Sequence, residues 1–341
     1  MSEYARQSNI EVTYEGVNIT KKLSRDLKSF SYKDNLDAFD EISVTVFDRD
    51  ENWLTDWVSK KGDIVLAKII LTEKNSETIL DCGTFYVDDK SYSDSDFTFK
   101  AISADISSKI KNEEKTKIWS STTLKKIGNA VATENKLSYE FTGTDVSIVS
   151  FEQKEKSNGA FLEEICTMHG FTVKIINNKL YISEIKHLES LTSSITIQKA
   201  YLIGKPNISE TDDDTYDSCI IEHKDKKLGK KITGKATATR TGYKTSTGKV
   251  LKLNGSFGCK GTFEQQTAQL NKVAAGKLRE KNKHELSISF TLMGNPKYRA
   301  GKKITLSGFG QYDDSYIIQS AEHNCSGGYT TAIELKRCLN I

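Results

Sequence analysis

Side chains able to do chemistry are present in this chain, but they are scattered. The five histidines, His169, His187, His223, His284 and His323, show no H-x-x-x-H, no H-E-x-x-H and no cysteine pairing at metal-ligand spacing. His323 stands two residues from Cys325 beside a Gly-Gly turn, without the further partners a metal needs, so its plain reading is a structural histidine. Carboxylates adjoin at Glu163-Glu164, Asp212-Asp213-Asp214 and Asp313-Asp314. Glycoside cleavage needs two carboxylates held on opposite sides of a sugar, whereas adjacent acids among Gly and Ser are ordinary turn residues. The acidic run also lacks the spaced oxygens and the glycine of a calcium loop. Gly255-Ser256-Phe257-Gly258 and Gly308-Phe309-Gly310 do not sit between a strand and a helix N-terminus, as a phosphate cradle must. No catalytic, cofactor-binding or metal-binding residue is assigned, no cofactor is expected, and the chain reads as a non-enzyme.

Charge is informative only locally. The 341 residues carry a net +3, but between Lys224 and Lys252 ten cations (Lys224, Lys226, Lys227, Lys230, Lys231, Lys235, Arg240, Lys244, Lys249, Lys252) face one acid, Asp225. A nucleic-acid track interleaves such cations with stacking aromatics, and here only Tyr243 does so; a solvated hairpin is favoured and nucleic acid is not expected as a partner. The six cysteines, Cys82, Cys166, Cys219, Cys259, Cys325 and Cys338, contain no C-x-x-C and several lie in apolar runs, which favours reduced, packed thiols. No run of 18 apolar residues exists and the N-terminus MSEYARQSNI lacks an apolar stretch, so neither a membrane span nor export is expected.

The length predicts two or three domains, and the elements that must position these residues fall into three blocks. With 37% apolar and 28% charged residues the chain has enough to bury for folded domains throughout. Residues 1–105 alternate with period two, as in Ile42, Val44 and Val46 against Ser43 and Thr45, and predict an all-β domain. Residues 106–190 change texture. Leu124, Ile127 and Val131 fall at helical spacing behind Ser121-Thr122-Thr123, and a second helix over Ala160–His169 is stopped by Gly170. A hairpin follows, Phe171–Ile176 and Leu180–Ser183 about Asn177-Asn178, so this block reads as an α+β insert. Residues 191–341 return to β texture, with strands expected at Ile195–Ile197 and Ser218–His223. A basic loop and a helix at Phe263–Glu280, capped by Thr262, form an excursion over about 224–282.

One β phrase is written twice. Glu41–Val46, a connection with Trp53 and Trp57, Gly62–Leu66, Phe85–Asp88 and Phe97–Ile102 parallel Glu285–Phe290, a connection with Tyr298, Gly301–Leu306, Tyr316–Ile318 and Thr330–Leu335. The stretch Asp34–Val46 with Trp53, Trp57 and Gly62-Asp63, and the C-terminal string from Phe290 through Gly308–Ile318 to Glu322–Asn324 and Gly327–Thr331, resemble the phage late control protein D and contractile-tail baseplate hub family. That family is related to the N-terminal part of type VI secretion spike proteins.

The resemblance implies a mainly β fold of two related tube-like barrels plus the inserted α+β domain. It further implies a homotrimer whose six barrels adapt a sixfold tail tube above to a threefold central spike below. Other baseplate proteins and the tape-measure protein would be further neighbours. The chain would be made in the bacterial cytoplasm and end in a virion or an extracellular tail-like particle such as a tailocin. Some relatives of this kind carry fused lysozyme or needle domains; here strands run to Cys338, and the spike and any wall hydrolase are expected on separate chains. Two rivals remain. A cell-wall enzyme would use the insert and a carboxylate such as Glu163 or Glu164, and a receptor- or glycan-binding tail module would use Trp53 and Trp57. The duplication favours the ring.

Overall fold

The computed structural model describes residues 6–55, 57, 59–74, 76–104, 109–225, 228–239, 247–255, 257, 259, 261–339 and 341. The chain is mainly β, with an α+β insert between two related β units. The first unit comprises β1 (Gln7–Tyr14), β2 (Val17–Asn18), α1 (Thr20–Asp26), β3 (Leu27–Asn35), β4 (Glu41–Phe47), β5 (Ile64–Glu73), β6 (Ser76–Ser93) and β7 (Asp96–Ile102). Alternation decides which side faces in: Ile42, Val44 and Val46 are buried while Ser43 and Thr45 face out, and Thr45 pairs its hydroxyl with Thr98 across the strands. Phe30, Tyr32, Val65, Phe85 and Phe99 complete one core.

The insert runs through α2 (Lys109–Asn112), β8 (Lys115–Thr123), α3 (Leu124–Glu134), β9 (Ser138–Thr142), β10 (Ser147–Lys156), α4 (Asn158–Met168), β11 (Phe171–Ile176), β12 (Lys179–Glu184) and α5 (Ile185–Ser190). Thr123 and Ser157 cap α3 and α4 through their side chains, and Gly170 follows the end of α4 at φ +76°. Asn177 and Asn178 both lie at positive φ, the geometry a two-residue hairpin turn requires between β11 and β12. Three strands were not foreseen. The ribbon of β8 and β10 exposes Ile118 and buries Trp119 against Phe161, and β9 adds a parallel strand to the hairpin.

The last block holds β13 (Ile195–Gln198), β14 (Leu202–Glu210), β15 (Ser218–Asp225), β16 (Lys230–Thr237), β17 (Val250–Asn254), α6 (Phe263–Asn282), β18 (Leu286–Met293), β19 (Lys303–Ser307), β20 (Ser315–Cys325) and β21 (Tyr329–Arg337). Here two expectations are corrected. Ser218–His223 does not join the strands of the second unit: β15 lies between β16 and β17 in a separate sheet covered by α6. The stretch expected as a basic loop supplies β16 and β17. The folded excursion therefore begins after β14 and ends before β18. Its helix is the one expected, with Thr262 and Gln265 forming a reciprocal capping box.

The written repeat reappears in the hydrogen bonding. The first unit pairs β3, β4, β7, β6 and β5 in that order, and the second pairs β14, β18, β21, β20 and β19. β1 then lies antiparallel on β5 where β13 lies parallel on β19. Gly62 N donates to Val87 O and Val87 N to Asp63 O; Gly301 N donates to Ile318 O and Ile318 N to Lys302 O. Both glycines hold positive φ. A bulge follows each of these strand residues, between Val87 and Asp89 and between Ile318 and Ser320. The register equates Ile42, Val44 and Val46 with Ile288, Phe290 and Leu292, two residues further along than the written phrase, and all six are buried. One strand joins the units: residues 320–325 of β20 pair antiparallel with residues 30–35 of β3, so both belong to one continuous sheet.

Candidate assembly interface

The residues weighed for chemistry fall into separate surroundings. His323 is fully buried, stacked on Tyr32 with ring centroids 5.9 Å apart. Its Nε2 must donate to the Tyr298 carbonyl (2.9 Å), which leaves Nδ1 to accept from the Tyr329 hydroxyl (2.8 Å). Burial pushes its pKa down to about 4, so it is neutral. His169 is likewise pushed down to about 4, by burial and then by Lys272. His223 meets the Gly255 carbonyl at 3.1 Å. The six cysteines are unpaired, and burial raises the Cys219 and Cys259 thiols to about 11 and those of Cys325 and Cys338 to about 12.

The acidic runs act as turn and surface groups. Asp313 accepts from Gly308 N and Phe309 N and closes the turn between β19 and β20. Asp214 pairs with Lys281, and Glu164 with Lys156. Among the described residues, no three His, Cys, Asp or Glu side chains gather as an ion-holding group.

Of the ten expected cations, Lys226, Lys227, Arg240 and Lys244, with Tyr243, lie outside the described residues. Lys235 and Lys252 flank Ile220, and Lys231 lies beside Lys224, on the side of the excursion sheet away from α6; Lys231 also pairs with Glu222 at 2.6 Å.

What the structure brings together instead is a buried charge network where both units and the insert meet. Asp34 (1% exposed) and Asp40 (0%) come from β3 and the turn after it, Lys174 from β11 and Arg299 from the connection before β19. Lys174 Nζ bridges both carboxylates, 2.8 Å from Asp40, and Arg299 Nε lies 2.7 Å from Asp34. Tyr32 Oη and Asn35 N also donate to Asp40, at 2.9 and 3.0 Å. Burial pushes Asp40 up to about 6, while the two cations hold Asp34 below the usual carboxylate range despite its burial. Hydrogen bonds between the first unit and the insert add to it: Ser103 donates to the Ile175 carbonyl, Thr172 to the Leu36 carbonyl, and Asn177 accepts from Thr84 N. Sequence reasoning missed this cluster because Asp34 lies 140 residues from Lys174 and 265 from Arg299.

A groove of about 790 Å³ opens on the first unit beside α1, lined by Val17, Phe47, Trp53 and Trp57 with Lys22 and Arg25. Trp53 stacks on Phe97, while Trp57 is 38% exposed under the Lys22 ammonium.

No protein-family model matches the chain, and no curated protein matches it by sequence. Solved structures do match. The prophage MuSo2 43 kDa tail protein of Shewanella oneidensis is 13% identical, with 97% of this chain and 98% of that one covered at a TM-score of 0.67. A tail protein of Neisseria meningitidis MC58 is 11% identical, covering 97% and 96% at a TM-score of 0.68. A chain of the Francisella PdpA-VgrG complex is 8% identical, with 99% of this chain and 59% of that one covered at a TM-score of 0.54. The shared property is the fold: over nearly its whole length this chain has the architecture of phage tail proteins.

Proposed function

We propose that this chain is the structural hub of a contractile phage tail or tail-like particle, a homotrimer that joins the sixfold tail tube to the threefold central spike. The observation that carries the reading is the repeated strand order, with its repeated Gly62/Val87 and Gly301/Ile318 hydrogen bonds. A chain with two equivalent β units turns three subunits into six near-equivalent positions, which is what a threefold-to-sixfold adaptor needs. The reading divides the chain into units 1–105 and 191–341, which build the ring, and an insert 106–190 that braces them. Its role is non-enzymatic, with tube above, spike below, and other baseplate proteins and the tape-measure protein as neighbours.

The test is the mass of the purified protein in solution, alone and mixed with its cognate spike and tube proteins. A trimer in either sample is expected. A monomer in both overturns the proposal.

A further inference from the structure

The junction between the two units is made by two halves, and each half has an unused counterpart in the same chain. On one side is the end of β20, residues 320–325; on the other is the outer edge of β3, residues 30–35. Matching the registers of β20 on β21 and of β6 on β7 equates Ser320–Asn324 with Asp89–Ser93. Matching β3 on β4 with β14 on β18 equates Ser31–Lys33 with Asn207–Ser209 and Asp34 with Glu210.

The counterparts are edges. β14 ends the strand path of the large sheet, and β6 pairs with β5 only through Tyr86, which leaves one side of residues 89–93 without a strand among the described residues. In that run the Lys90 amide turns to the neighbouring Asp89 carboxylate. Open edges of this length invite a strand.

We infer that β14 of one subunit adds to residues 89–93 of β6 in a second copy of this chain, repeating between subunits the antiparallel junction that β20 and β3 make within one. Carried over from the internal junction, the register sets Lys90 opposite Glu210, Ser91 opposite Ser209, Tyr92 opposite Ile208 and Ser93 opposite Asn207. The pairs are compatible in kind. Lys90, whose ammonium also meets the Ser59 carbonyl, and Glu210 are of opposite charge, and half-buried Tyr92 meets half-buried Ile208 where His323 meets Tyr32 in the internal junction. The contact is head-to-tail and closes only as a ring, so the inference rests on the trimer reading above.

Cysteine pairing tests the register. Ser91 and Ser209 are both exposed, and facing Cβ atoms on paired strands lie near the distance a disulfide spans. The equivalent internal pair, Lys33 and Glu322, calibrates the chemistry: Lys33→Cys with Glu322→Cys should cross-link within one chain. On mild oxidation, Ser91→Cys with Ser209→Cys is expected to give reducible dimers and trimers at least tenfold above either single variant. A trimer by mass that shows no cross-link while the internal pair forms would overturn the strand register and leave the hub reading standing. A monomer by mass, both alone and with the cognate spike and tube proteins, would overturn the reading itself. Amide exchange on the unmodified protein supplies a second measurement: the alternate, outward-pointing amides within residues 89–93 and 207–210 should slow at least tenfold on assembly, and unchanged rates in a trimer reject the inference.

Discussion

Among single residues, the buried titratable groups set a direction for the pH dependence of stability. His169 and His323 are pushed down to about 4 from an ordinary 6.5. Between those values the unfolded chain takes up protons that the fold refuses, so their contribution is complete above pH 6.5 and is lost as pH falls towards 4. The part-buried His284 is lowered too and adds in the same sense. Asp40 opposes them. Raised from 3.8 to about 6, it stabilises the fold below pH 3.8, and that contribution is lost as pH rises through 6. Two strongly shifted histidines outweigh one carboxylate, so urea midpoints should fall as pH drops from 6.5 to 4.5. Asp40→Asn, which removes the opposing group, should steepen that fall; a midpoint that rises on acidification would reject the assignment of neutral, buried histidines. None of this was legible from the sequence. His323 could be read as structural, but its partners Tyr298 and Tyr329 and its stacking on Tyr32 come from three separate strands and connections.

Elements were legible where their inner side is apolar and their ends carry local chemistry. α6 announces itself by Thr262 and its apolar stripe, the β11–β12 hairpin by Asn177-Asn178, and the repeated phrase by its alternation. β16 hid because its inward positions are Ile232, Gly234 and Ala236 amid lysines. The reason is steric: a Cβ on Gly234 would sit 2.4 Å from the Leu270 side chain of α6, so the helix presses on the strand and period-two hydrophobicity disappears. β14 hid behind Gly204-Lys205-Pro206, which sit at its bulge. The same close packing governs the other side of α6. A Cβ on Gly276 would lie 1.9 Å from the Met168 carbonyl oxygen at the end of α4, a backbone atom that cannot swing away. Glycine to alanine inside a helix ordinarily stabilises by up to about 1 kcal/mol. Gly276→Ala should instead cost about 2 kcal/mol or more through overpacking, seen as a lowered melting temperature. A raised melting temperature would mean that α6 and α4 do not pack as described.

Over the whole molecule, the continuous sheet and the buried charge network make the two units and the insert one mechanical body. The repeat itself was readable, though two residues out of register on its first strand; the structure adds that the Lys60-Lys61-Gly62 and Arg299-Ala300-Gly301 turns close alike through Asp63 N to Lys60 O and Lys302 N to Arg299 O. How the repeats are joined was not, because strand edges leave no mark in composition. Asp34 is the group that all three parts share, meeting Lys174 of the insert and Arg299 of the second unit. Removing one member of a buried ion pair typically costs about 3–5 kcal/mol, because the partners stay buried and uncompensated. The three tryptophans, Trp53, Trp57 and Trp119, lie in the first unit and the insert, so fluorescence follows those parts while far-ultraviolet circular dichroism follows all strands and helices. In the native protein the two signals should trace one urea transition. In Asp34→Ala the fluorescence transition should move to lower urea and run ahead of the circular dichroism, since the second unit keeps its own core of Ile288, Phe290, Ile304, Tyr316 and Leu335. Two transitions that move together would show that β20 on β3 alone couples the units. Two transitions already apart in the native protein would show that neither the strand junction nor the charges hold the chain as one body.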